Sequence, residues 1–192
     1  MSYEDIKKHI TSSDDWGISK FKLSSLSTTV EQFHFVAHEN PSNLGDTLDG
    51  KQLPPTNHWS LFLSASGSSV RVVVVPNEPG EPGMVLVENK GYDVTRKSMK
   101  TVSIPAPKGI TVADIFNLII KKKRDYYIFA PVGEGCRFWL HTIAGDFAGD
   151  NFIGLANALE VQSALVMYWP FPRGTAAIAR PMAKGQFPKS GD

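Results

Sequence analysis

Residues 30–38, VEQFHFVAH, alternate apolar and polar side chains with a period near two and predict a strand. Three strand-like runs follow at short intervals: HWSLFLSA at 58–65, VRVVVVP at 70–76 and MVLVENKGYDVT at 84–95, the last broken near Gly91. SGSS and NEPGEPG supply the turns between them, and KTVSIPAP adds a candidate fourth strand. The β-branched run at 70–76 must bury at least one face. Runs this close in sequence are joined most economically as an antiparallel meander.

The remaining pattern is helical or irregular. Residues 3–10 predict a short amphipathic helix, and the Ser/Thr-rich stretch after it has little periodicity. Residues 39–57 form a long loop rich in turn formers, a length often tied to function. TVADIFNLIIKKK at 111–123 opens on Thr111 as N-cap with Asp114 three residues on, and Ile115, Leu118 and Ile119 form its apolar stripe. A second helix starts at Cys136 and runs towards Gly145, with Cys136, Leu140, Ile143 and Phe147 on one face. Residues 151–168 predict a third. The expected architecture is α+β: an antiparallel sheet of four to six strands with helices packed on one side. The expected division is an N-terminal extension at 1–29, a single domain at 30–168 and a Pro/Gly-rich, partly flexible tail at 169–192.

Composition narrows the function classes. The 192 residues are 42% hydrophobic and 20% charged, with a formal charge of +1, which gives no sign of a nucleic-acid partner. The densest basic run, KKKRD at 121–125, falls at a helix end where cations complement the dipole. The start, MSYEDIKKHI, lacks the apolar segment of a signal peptide, and no apolar run approaches the roughly 20 residues of a membrane span. The single cysteine cannot form an internal disulfide, which points to a reducing cytoplasmic setting. Phosphate-loop, dinucleotide-binding and serine-elbow motifs are absent, so no cofactor is implied.

Candidate chemistry centres on that cysteine. In PVGEGCRFWLHT, Cys136 falls on the first turn of a helix behind Gly133 and Gly135. Helix-start N–H groups and the positive dipole end favour a thiolate there and would hold an oxyanion. The alternative is that Cys136 fills a gap in the core, as free cysteines often do. Glu134 opposes a thiolate and Arg137 favours it, which leaves their net effect open. Phe138 and Trp139 suit a pocket lining or plain core.

A cysteine nucleophile needs a base, usually histidine. His9 lies on a polar segment, and His141 lies about 140° around the helix from Cys136. His34 and His38 share a face at i, i+4, which raises a metal pair without a third ligand. His58 opens the strand NHWSLFL and is the best-held candidate. Trp59 should face the core opposite it, and Asn57 beside it either caps the strand or contacts substrate.

A strand beginning HWSLFL, further strands, then Cys at a helix start behind a glycine turn resembles the circularly permuted papain-like fold of the NlpC/P60 superfamily. That group includes the lecithin:retinol acyltransferase-like and PPPDE-type thiol enzymes. The resemblance covers residues 56–147, with His58-Trp59 and Cys136 at the family's histidine and cysteine places. It implies a cysteine-dependent hydrolase or acyltransferase acting on an amide, ester or thioester through an acyl-enzyme, with a small-molecule or acyl substrate. Asn57, Arg71, Glu134 and Arg137 are then the substrate-binding candidates. The family's usual polar group on the strand after the histidine strand is missing; Arg71 stands there and suits a substrate carboxylate better than an imidazolium. Glu88 and Asn89 are the candidates to orient His58. GEGC also departs from the family's frequent Asn-Cys. The alternative is a non-catalytic binding protein on the same fold. The whole chain also resembles an uncharacterised group of fungal proteins with NHWSLFL and GCRFW-type motifs, which implies small-molecule biosynthesis.

Overall fold

The computed structural model describes residues 1–40, 47–48, 51–52, 55–77 and 82–188. Most of the long loop expected at 39–57, and part of the 77–83 turn, lie outside the described residues.

The protein is α+β. In chain order the elements are α1 (Tyr3–Ser12), β1 (Trp16–Lys20), a 3₁₀ turn (Leu23–Ser27), β2 (Gln32–His38), β3 (Thr47–Leu48), β4 (Lys51–Gln52), β5 (His58–Ala65), β6 (Ser68–Val75), β7 (Met84–Lys90), β8 (Ser98–Pro105), α2 (Val112–Lys121), α3 (Cys136–Gly149), α4 (Leu155–Leu165), β9 (Met167–Tyr168) and β10 (Ile178–Ala179). The main sheet has six strands in the order β1-β7-β6-β5-β2-β8. β5, β6 and β7 form the expected meander. β8 does not continue it but returns to pair with β2 on the other side.

Strand alternation sorts the two faces. Phe33, Phe35, Trp59, Leu61, Leu63, Val70, Val72, Val85, Val102 and Ile104 join residues of all four helices in one core. The helices therefore cover one face. Phe147 of α3 meets Phe33 and Phe35 of β2 with ring centroids 5.0 and 6.4 Å away. The other face is more polar and carries His34, His38, Ser60, Ser64, Arg71 and Glu88 around Val36, Phe62 and Val73.

The helices start as their sequences demand. Asp114 N donates to Thr111 Oγ1 at 3.3 Å and Thr111 N donates to Asp114 Oδ2 at 2.8 Å, which completes a capping box. Ser2 and Asp5 cap α1 in the same way. The linker before α3 is fixed by Trp139 Nε1, which donates to Arg124 O at 2.7 Å, and by the Arg124–Asp146 ion pair at 2.7 Å.

Two expected boundaries change. Residues 1–29 are not an extension: Ile6, Ile10, Trp16, Phe21 and Leu26 are in the core. β1 pairs with β7 in parallel, the one parallel ladder of the otherwise antiparallel main sheet. Its anchor is Asp125, 1% exposed, whose Oδ2 lies 2.8 Å from His9 Nε2 and accepts from Trp16 Nε1 at 3.0 Å. Parts of the segment after 168 are likewise held to the core. Ile128 and Gln186 form a bridge, Phe187 packs on Tyr127, and Arg180 is buried.

Candidate active site

A cleft of about 150 Å³ opens where the start of β5 meets the start of α3, and His58, Glu134, Gly135, Cys136 and Arg137 all line it. α3 makes its main sheet contact on β5, so the helix that carries the thiol rests on the strand that carries the imidazole.

The turn before Cys136 is tightly held. Tyr127 Oη donates to Gly135 O at 3.0 Å and accepts from Gly185 N at 3.1 Å. Burial pushes the Tyr127 hydroxyl well above its ordinary pKa, which keeps it a donor. Gly135 has no room for a side chain, because a Cβ there would run into the rings of Phe129 and Tyr127.

Cys136 occupies the first turn of α3 and is half-buried. Backbone N–H groups of Trp59 and Arg137 hydrogen-bond its sulfur. The β5–β6 ladder ends at Leu61↔Val72, short of Trp59. Burial nevertheless dominates and pushes the thiol up, against the lowering by Trp59 N–H and the Arg137 charge, while Glu134 adds to the rise. This resolves the opposed influences of Glu134 and Arg137: desolvation outweighs both, and the resting sulfur is a thiol.

His58 starts its strand on the face opposite Trp59, which is fully buried in the core. Its ring stands 6.0 Å, centroid to centroid, from that of His38. Burial, and then the charge of Arg71, lower His58 to about 4, so it is a neutral imidazole at neutral pH. Among the described residues no hydrogen bond joins His58 to Cys136.

The other expected site residues are placed as follows. Asn57 is 2% exposed and uses its amide on backbone: Nδ2 donates to His38 O at 3.2 Å and Trp169 O at 2.9 Å, and Oδ1 accepts from Trp169 N at 2.7 Å. Arg137 donates to Leu165 O, Arg180 O and Pro181 O and pairs with Glu134 at 2.7 Å. Glu134 also binds Arg180. Both Glu134 and Arg137 are thus engaged within the chain while flanking the cleft. Arg71 lines a different cavity and pairs with Glu88 at 3.3 Å. Asn89 accepts from Lys22 N and donates to Ser25 Oγ, and Glu88 binds Lys90 and Lys20; neither bonds His58. His34 and His38 share a face, as expected for a strand, and bond Ser103, Ser64 and Ser60. Among the described residues no group of three or more His, Cys, Asp or Glu is placed to hold a metal ion.

Three contributors were not legible in sequence. The Trp59 N–H carries no side-chain signal. Tyr127 was visible only as one of a Tyr pair in RDYYIF. Arg180 was hidden in a Pro-rich segment without periodicity.

No helix among the described residues is long and apolar enough to cross a membrane. No curated protein matches the chain, and no solved structure does. Residues 33–188 match a family model described as a domain of unknown function, DUF7770, a span that takes in β2 from Phe33 on, both walls of the cleft and the segment that Glu134, Arg137 and Asn57 bind. The chain therefore belongs to the DUF7770 family.

Proposed function

We propose that the cleft is the active site of a thiol-dependent hydrolase or acyltransferase in which Cys136 and His58 act as a neutral pair. The observation that carries this reading is that both line one cleft, with the sulfur hydrogen-bonded to the backbone N–H of the residue next to His58. The histidine strand precedes the cysteine helix and supports it, the order of the circularly permuted papain-like thiol enzymes.

The chemistry follows from the protonation states. A thiol raised by burial is not pre-ionised, so a base must take its proton as it attacks. Cys136 Sγ bonds to the carbonyl carbon of an ester, amide or thioester while His58 accepts the thiol proton. The imidazolium returns that proton to the leaving group as its bond to carbon breaks, which leaves an acyl-cysteine. Water or an acceptor then displaces the sulfur. The N–H groups of Trp59 and Arg137 stabilise charge that develops on sulfur. A small-molecule substrate, a reducing cytoplasm and a biosynthetic role fit a lone thiol in a cleft of this size.

The test is acylation by a nitrophenyl ester, followed by intact mass and peptide mapping. A single adduct on Cys136 is expected, slowed about 100-fold or more in His58→Ala. Because His58 sits at about 4, the rate should hold from pH 8 down to 5 rather than fall through 6.5. Absence of the adduct, or indifference to His58, removes the proposal. One observation favours the second reading, a binding protein: Arg71 opposes an imidazolium at His58, and no carboxylate among the described residues bonds that ring. Saturable small-molecule binding without acylation would establish it.

A further inference from the structure

The sheet face turned away from the helices holds a second cavity, of about 190 Å³, lined by His38, Phe62, Arg71, Lys90, Tyr92 and Thr95. One side is aromatic: Phe62 and Tyr92 stand 6.2 Å apart, and His38 stands 6.2 Å from Phe62. The other side is cationic. Arg71 Nη1 and Lys90 Nζ reach the same oxygen of Glu88 at 3.3 and 2.7 Å. One carboxylate thus faces two cations at the cavity, and Lys20 adds a third at 3.5 Å from an exposed position. Asp93, on the neighbouring segment, accepts from Gly67 N. His38 adds no charge at neutral pH, since burial and Arg71 hold it at about 4.

Arg71 is under-used. Among the described residues its guanidinium makes one hydrogen bond, to Glu88, and the buried Nε finds no acceptor. A planar five-donor fork with one bond is unusual at a half-buried position, and carboxylate is the group that fits it.

We propose that this cavity binds a small monocarboxylate with a flat, aromatic or unsaturated body, its charge on Arg71 and Lys90 and its body against Phe62 and Tyr92. Of the cations on Glu88 only Arg71 and Lys90 line the cavity, and the one positive charge they leave over suits a monoanion better than a phosphate dianion, while two rings suit an apolar plate. The volume fits a one-ring ligand rather than a nucleotide. The proposal rests on these side chains and not on Cys136, so it stands whether or not that thiol is a nucleophile.

Benzoate is the probe, titrated by calorimetry and by NMR of the aromatic protons, with benzamide as its neutral analogue and inorganic phosphate as the dianion. Benzoate should bind saturably and shift Phe62 and Tyr92. Benzamide should bind at least about tenfold more weakly, the loss of one charge-assisted hydrogen bond. Arg71→Gln should lose at least as much, with an unchanged circular dichroism spectrum, and Lys90→Gln part of it. If Arg71→Gln does not fold, Lys90→Gln and the wild-type shift map decide. The proposal is overturned by no benzoate binding, by equal binding of benzamide, by tighter binding of phosphate, by shifts confined to residues elsewhere, or by indifference to both substitutions.

Discussion

His38 and His58 are direct cross-strand partners at the last pair of the β2–β5 ladder, with ring centroids 6.0 Å apart. Burial and Arg71 hold both at about 4, so this pair is neutral where free histidines begin to charge.

That pair makes stability depend on pH. Between 6.5 and about 4 the unfolded chain takes up protons that the folded rings refuse, so the pair lowers stability as pH drops through this window and adds no further loss below it. The limit is about 3 kcal/mol per ring, reduced by solvent screening. The thermal midpoint should decline from pH 6.5 to 4.5, and His58→Gln should flatten part of that decline, the rest coming from His38 and from His34 and His141, which burial also lowers. An unchanged slope in the variant would place the titration elsewhere.

Cys136 should alkylate slowly at neutral pH. Burial raises its thiol above the free-thiol value, against the Trp59 and Arg137 contributions, so iodoacetamide labelling should accelerate only at a higher pH than for a free cysteine. A rate profile with its midpoint below the free-thiol range of roughly 8.5 would mean that the N–H groups outweigh desolvation.

Glu134 joins Arg137 and Arg180, and all three side chains are at most 10% exposed. Glu134→Gln removes a carboxylate shared by two buried guanidiniums and should cost about 3 kcal/mol in urea unfolding. Limited proteolysis should then cut between Trp169 and Phe187 before the rest of the chain. Resistance equal to wild type would show that the backbone bonds of Arg137 suffice.

Asp125 ties the N-terminal elements to the core through His9 and Trp16. Asp125→Ala strands the Trp16 indole N–H and should cost about 2 kcal/mol, with faster hydrogen exchange over residues 3–20. Asp125→Asn keeps an acceptor for Trp16 and should lose less. Uniform exchange in Asp125→Ala would deny that anchor.

The sheet and helices were readable where a local rule decided them. The alternation of β5 separates His58 from Trp59, and Thr111 with Asp114 marks the start of α2. β1 was not readable, because only Trp16 of its five residues is buried and its partner Val85 is remote in sequence. The contacts of the segment after 168 left no signal for a related reason. Its order comes from side chains such as Asn57 and Arg137 bonding its backbone, which leaves no periodicity behind. At the site, a strand start and a helix start were legible as places for His58 and Cys136. Their charge states were not, since those follow from burial and, for His58, from Arg71 on the neighbouring strand β6, which no local pattern reveals.

Asn57 and Arg137 bind Trp169, Arg180 and Pro181, which leave the ribosome after both candidate catalytic residues. A nascent chain that already displays Cys136 and His58 therefore lacks the struts of its own cleft. Assembly of the site is a late event in synthesis, and a stop codon just before Trp169 would yield a chain with every proposed reacting group and an unfinished place to use them.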